Sequence, residues 1–270
     1  MATIKEKLLR FLYDRPLKSG SRVGANYEIW HVLGMGSYGI TYTAEDKMTG
    51  KLCAIKQLRP TKAKTVSGIR SFQREAELMR AVSGSGFPEL YDVIEQDGSY
   101  FLVMEYVDGR TFEDLIFEDG RIFSEVDTMD VLDELCTLVS VLHTQGIYHR
   151  DLRIPNILDV GGRLKIIDFG LACYQDDDPE DEDPRYPEKQ VMRAVSPSSD
   201  FYHMGHFALF LLYSGFEPSQ KKERTWEEEL SVSQEFKKVL RKMLQIDSPY
   251  TEVHQVINDL RELKIMVKKR

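Results

Sequence analysis

His149-Arg150-Asp151-Leu152-Arg153-Ile154-Pro155-Asn156-Ile157-Leu158 decides the reading of this chain, together with Asp168-Phe169-Gly170, which begins twelve residues after Asn156. Apolar runs at Ile157-Leu158 and Leu164-Lys165-Ile166-Ile167 lie between the two motifs, so the segment reads as a loop entering and leaving a small hairpin. The two motifs themselves offer a carboxylate, Asp151, an amide, Asn156, and a further carboxylate, Asp168. That combination suits phosphoryl transfer. One carboxylate orients the incoming hydroxyl, while the amide and the other carboxylate hold Mg²⁺ against nucleotide phosphates.

Working outward, Gly34-Met35-Gly36-Ser37-Tyr38-Gly39 lies between strand-like stretches at 27–33 and 40–44. Glycines let a tight loop bring main-chain N–H groups close to phosphate oxygens, although the same residues also fit a plain glycine-bearing hairpin. A dinucleotide-binding fold needs a helix directly after the third glycine. Here Ile40-Thr41-Tyr42-Thr43-Ala44 is β-rich, which favours a flap over a nucleotide. In the next strand, Leu52-Cys53-Ala54-Ile55-Lys56, alternation puts Ala54 and Lys56 on one face. A lone strand lysine is ordinarily solvent-exposed. Ile69, Phe72, Ala76 and Met79 then recur at helical spacing and predict a helix over 66–82. Glu75 flanks that apolar stripe, nineteen residues after Lys56, and is a candidate ion-pair partner for it. Glu77, nearer the expected solvent face, is the alternative.

Glycine loop, lysine strand, helix glutamate, His-Arg-Asp with Asn156, and Asp-Phe-Gly stand in the order in which the protein kinase family has them, and the chain resembles that family over residues 25–265. Tyr27-Glu28-Ile29, Asp46 with Thr49-Gly50, and Gly86-Phe87-Pro88-Glu89-Leu90-Tyr91-Asp92 resemble its bacterial serine/threonine members. The resemblance implies an α+β fold of two lobes: an N-terminal helix and lead-in loop at 1–24, a β-rich small lobe at 25–106, and a mainly helical large lobe at 107–270. It implies ATP and Mg²⁺ as cofactors and a protein substrate, phosphorylated on serine or threonine. Gly34, Gly36, Ser37 and Gly39 would cover the phosphates. Ala54, Leu158 and Thr41, the last in place of the usual valine, would enclose the adenine. In the apolar stretch 100–109, Met104 falls at the gatekeeper position, and main-chain groups of Glu105 and Val107 would bond the adenine edge. Lys56, fixed by Glu75, would grip the α- and β-phosphates. Asp151 would act as base, and Asn156 and Asp168 as metal ligands. Arg153 stands where lysine is usual and would neutralise the transferred group with a planar fork rather than a point charge.

The chain departs from the family after Gly170. Only 32 residues separate Asp168 from Asp200, which opens the next apolar helix, and no Ala-Pro-Glu precedes it. Ser196-Pro197-Ser198 stands close by instead, and Tyr250 occupies the position expected for the arginine that pairs with that glutamate. Loss of both partners reads as a rebuilt substrate platform. No serine or threonine lies between Cys173 and Val195, so phosphorylation there is confined to Tyr174 and Tyr186. The run 176–183 carries seven carboxylates; it either supplies a permanent negative charge to Arg150 or is a solvated loop. A nucleotide-binding pseudokinase scaffold is a rival reading that the altered platform favours and the filled catalytic positions oppose. A small-molecule phosphotransferase of related fold is another, opposed by Phe169-Gly170 and Arg150.

The bulk properties agree with one two-lobed unit of 270 residues. The formal charge of −8 comes almost wholly from the acidic run, and with no broad basic face a nucleic-acid partner is not expected. No apolar run approaches the length of a membrane span, and residues 1–7 lack a signal-peptide core. Cys53, Cys136 and Cys173 have no metal-binding spacing and read as reduced thiols of a cytoplasmic protein, Cys173 being a candidate for exposure. Helical spacing also predicts a helix over 3–13 (Ile4, Leu8, Phe11, Leu12), a long helix ending before His149 (Met129 to Leu142), a buried helix over 200–213 and a final helix from Val253 to Leu263.

Overall fold

The computed structural model describes residues 14–178, 187–217 and 224–268. The helix expected over 3–13 and most of the acidic run therefore lie outside the described residues. The chain divides into two compact units, Met1–Asp108 and Gly109–Arg270. The fold is the two-lobed one expected, with a β-rich first unit and a mainly helical second.

The first unit is built on one antiparallel sheet in the order β1-β2-β3-β4-β6-β5. Its strands are β1 (Arg22–Val23), β2 (Tyr27–Met35), β3 (Gly39–Asp46), β4 (Lys51–Leu58), β5 (Leu90–Gln96) and β6 (Ser99–Glu105). The core is formed by Val23, Ile29, Ile40, Tyr42, Ala44, Cys53, Ile55, Phe101 and Val103, mostly β-branched or aromatic residues that pack well on a pleated surface. Residues before the glycine loop belong to this unit: Val23 is wholly buried, and Leu17 N–H donates to the Tyr42 hydroxyl at 3.0 Å. Helix Val66–Ala81 is capped by Thr65, whose hydroxyl accepts from Gly68 N–H at 3.1 Å. Its buried side carries Phe72, Glu75, Ala76 and Met79. Glu75 lies one turn from both Phe72 and Met79, which is why it, and not Glu77, is drawn out of solvent.

In the second unit, helix Glu125–Thr144 starts from a reciprocal cap between Ser124 and Asp127. Helix Pro197–Tyr213 buries Phe201, Met204, Phe207, Ala208 and Leu211. Phe207 meets Phe112 edge-on at 5.1 Å. Gly205 lets helix Gln234–Met243 approach closely, since a Cβ there would lie 3.0 Å from Leu244 and 3.1 Å from Met243. Helix Val253–Lys268 is tied to Glu125–Thr144 by Lys264, which meets Asp133 at 2.8 Å and Asp130 at 2.9 Å. Among the described residues no helix is long and apolar enough to cross a membrane. All three cysteines are buried, so Cys173 is not the exposed thiol its position suggested; β11 (Cys173–Tyr174) pairs with β8 (Ile147–Tyr148) and covers it.

Candidate active site

In the first unit, Lys56 Nζ lies 2.6 Å from Glu75 Oε1, both side chains being largely shielded. Glu77 is exposed and instead faces Arg74 at 3.9 Å. Sheet register sets Thr41 opposite Lys56 and Ala54 opposite Met104. The glycine loop is closed by Gly36 N–H donating to Gly39 C=O at 3.0 Å. Gly39 is demanded by packing, because a Cβ there would sit 3.0 Å from the Gln57 carbonyl and 3.2 Å from the Lys56 stem. Gly34 and Gly36 are not: a Cβ at Gly34 would meet nothing within 4 Å, and one at Gly36 only the Gly39 carbonyl at 3.8 Å. Ser37 lies at the exposed turn of the same loop. At the end of β6, Glu105 N–H is donated to Glu89 C=O at 2.8 Å, so an adenine contact from Glu105 falls to its carbonyl. Val107 follows, partly buried.

In the second unit, β9 (Ile157–Asp159) and β10 (Leu164–Ile166) form the hairpin expected after the catalytic stretch, and β7 (Arg110–Thr111) pairs with the other side of β9. Asp151 is buried and accepts from Asn156 Nδ2 at 2.8 Å and from Arg153 through Nε at 2.5 Å and Nη2 at 3.1 Å. Asn156 Nδ2 also donates to the Asp151 carbonyl at 2.9 Å. Arg153 is thus a fork on Asp151 here, with its side chain half exposed. Leu158 is buried one strand position on. Asp168 is exposed at φ 64°, and its Oδ1 accepts from Gly170 N–H at 3.1 Å. Arg150 also has positive φ, 60°, and two such residues in one site mark backbone held by its surroundings.

Those surroundings centre on Asp200, a residue the sequence reading names only as a helix start. Wholly buried, it accepts from His149 N–H at 3.0 Å, Arg150 N–H at 2.6 Å and His143 Nε2 at 2.9 Å. Burial pushes its carboxyl upward, but these donors and the His143 ring outweigh that and leave it below the usual carboxylate range. His149 is buried against Phe169, ring centroids 5.1 Å apart, and among the described residues neither ring nitrogen finds a partner of good hydrogen-bond geometry, the Ile167 main chain being the polar group beside it. Burial holds its pKa down, against the opposing charges of Asp200, Asp151 and Asp168. Arg150 reaches the carbonyls of Leu171 (Nε, 2.8 Å) and Arg193 (Nη1, 2.8 Å). Of the acidic run, Asp177 accepts from Tyr174 N–H at 2.8 Å; residues 179–186 lie outside those described. At the altered platform, buried Tyr250 donates its hydroxyl to Asp259 at 2.6 Å, and Lys242 meets the same carboxylate at 2.9 Å.

Residues 27–253 match the protein kinase domain family. The chain belongs to the protein kinase family. Its relatives include the probable serine/threonine-protein kinase YbdM of Bacillus subtilis, 35% identical over 253 residues that cover 94% of this chain and 95% of that protein. Serine/threonine-protein kinase B of Synechocystis is 31% identical over 88% of this chain, which spans about half, 47%, of that longer protein. The kinase domain of Mycobacterium tuberculosis PknI shares the fold, with a TM-score of 0.69 over 92% of this chain and 99% of that domain at 22% identity. Among the described residues no group of three or more His, Cys, Asp or Glu side chains could hold a metal ion. A kinase metal site needs fewer protein ligands, because the nucleotide brings oxygens of its own.

Proposed function

We propose that this chain is an ATP- and Mg²⁺-dependent protein kinase acting on serine or threonine hydroxyls. The observation that carries the reading is the bonded set around Asp151. Asn156 spends its amide nitrogen on the Asp151 carbonyl and Oδ2, which fixes the amide and keeps its oxygen, a hard ligand, for a cation. Asp168 would supply the second protein oxygen. Bound Mg²⁺ would neutralise phosphate charge as it develops.

Asp151 would orient the acceptor hydroxyl and take its proton, and Arg153, released from Asp151, would meet the transferred phosphoryl group. Lys56, aligned by Glu75, would hold the α- and β-phosphates. Gly34, Gly36, Ser37 and Gly39 would cover them; glycine at positions 34 and 36 answers no packing demand of the protein itself, and a close-lying phosphate provides one. Thr41, Ala54, Met104 and Leu158 would frame the adenine, with main-chain groups of Glu105 and Val107 on its edge. A protein substrate and a cytoplasmic location belong to the same proposal.

The test is transfer of labelled γ-phosphate to a protein acceptor, followed by identification of the phosphoamino acid. Asp151→Asn should lower the rate by about 10²–10⁴. Nucleotide binding by the wild type with no transfer to any acceptor would instead establish a scaffold, the reading that the rebuilt Tyr250 region favours. Phosphotyrosine as product would overturn the acceptor assignment.

A further inference from the structure

We propose that Asp14 and Arg59 are positioning residues for the nucleotide flap: a buried relay running from the segment before the first strand to the main chain of the glycine loop. This deepens the ATP reading and rests on it for the consequence, though not for the geometry.

Arg59, which follows β4, grips both sides of Ser37. Its Nε donates to the Gly36 carbonyl at 2.7 Å, and its own N–H donates to the Tyr38 carbonyl at 2.9 Å. The side chain is only 10% exposed, so the first bond is not competing with bulk water. Its aim is set by Asp14, which is forty-five residues away in sequence and has a fully buried side chain. Asp14 Oδ2 accepts from Arg59 Nη1 at 3.3 Å and from the Thr61 hydroxyl at 2.8 Å, and Oδ1 accepts from Thr61 N–H at 2.9 Å. A buried carboxylate persists only when its oxygens are met in this way.

The Thr61 bonds have a second effect. The short helix Pro60–Ala63 has no cap from its own neighbouring side chain, and Asp14 provides one from a distant part of the chain. That helix also presents Lys62, whose Nζ lies over the Tyr38 ring at 4.9 Å. The loop is therefore held at Gly36 and Tyr38 by main-chain bonds, and at Tyr38 by a cation over its ring. Both residues that reach the loop here, Arg59 and Lys62, sit on the short stretch that Asp14 fastens.

An arginine fork is needed for this, because one nitrogen must face Gly36 while another faces Asp14. Lysine keeps the charge and cannot do both. Arg59→Lys should thus free the loop without leaving an unpaired buried carboxylate. Asp14→Asn keeps one acceptor oxygen and the side-chain shape and removes the charge that holds the guanidinium.

Hydrogen exchange of the nucleotide-free protein is the primary test. Either variant should speed exchange of the Gly36 and Gly39 region about tenfold, as expected for losing one charge-assisted bond, and leave helix Glu125–Thr144 unchanged. KM for ATP should rise by roughly three- to tenfold while KM for the protein acceptor stays put, the split that a loosened flap produces and general destabilisation does not. Thr61→Val removes only the hydroxyl bond, keeps the main-chain N–H of residue 61 and the Arg59 fork on Asp14, and should leave the loop near wild type. Unchanged loop exchange in both Arg59→Lys and Asp14→Asn overturns the relay. Faster exchange across the whole first unit also overturns it, since the two residues would then be fold determinants only. Faster loop exchange in the two variants, when the wild type itself binds no ATP, supports the relay and condemns the ATP reading instead, so the two fail separately.

Discussion

Arg150 donates through Nη1 to the main-chain carbonyl of Arg193, 2.8 Å away, while its Nε holds the carbonyl of Leu171. One buried guanidinium thus joins the two ends of the segment that follows Phe169-Gly170. In this chain the arginine braces main chain. Arg150→Ala should destabilise the protein by about 2–4 kcal/mol in urea unfolding, from two charge-assisted bonds to main-chain carbonyls. Wild-type stability in that variant would show that the brace is idle. Phosphatase-treated wild type should keep its activity.

Lys56→Met should leave the fold largely intact and reduce phosphoryl transfer by roughly 10²–10³, the usual worth of one charge-stabilising group. Glu75→Gln should lower the rate less, because the lysine survives and only its alignment suffers. A variant at position 56 with more than about a tenth of wild-type turnover would remove Lys56 from the proposed machinery.

Asp168→Asn should uncouple nucleotide binding from magnesium. In thermal-shift measurements ATP should stabilise the wild type far more with Mg²⁺ than without, and the variant about equally in both. Identical behaviour of the two proteins would mean that Asp168 is no metal ligand.

Acid should weaken the fold in two separate steps. Burial holds His149, His203 and His206 below the ordinary histidine range, so the unfolded chain binds more protons than the native one as pH falls through about 6.5. Stability should be flat above that point and decline below it. Asp200, held below its usual range, should add a further decline only when pH falls through the carboxylate region, near about 4. His149→Phe should make the first step shallower. An unchanged slope in that variant would mean that His149 is already protonated in the native protein.

Much of the candidate site is legible in the sequence because its parts are local. Asp151, Arg153 and Asn156 bond to one another within six residues, and the hairpin after them shows in two short apolar runs. Glu75 is separable from Glu77 once the 3.6-residue period of its helix is seen, since only one of them borders the buried stripe. What escapes reading is held by side chains that reach across long separations. Asp200 meets the His149 and Arg150 N–H groups from about fifty residues away, and Asp14 meets Arg59 from forty-five. No periodicity encodes such pairs. A two-residue edge strand such as β1 carries no alternation either, so residues before Tyr27 look like a lead-in loop and yet supply Val23 to the core. The Tyr250–Asp259 bond lies between: nine residues apart, but across a turn into a helix, where spacing alone does not say which side chains meet.

The edge strand has a practical consequence for anyone producing the catalytic part alone. The family match begins at residue 27, and trimming there would look harmless on an alignment. The shortened polypeptide would lack Val23 from the hydrophobic interior, the Leu17 N–H on the Tyr42 hydroxyl, and the Gly24 N–H donated to Gln96 at 2.8 Å. It would also leave the outer side of β2 as a bare sheet margin, the kind of surface on which recombinant proteins stick to one another and precipitate. Expression vectors for this kinase should start no later than Asp14, and a poor yield from a shorter version would report on where the cut was made rather than on the enzyme.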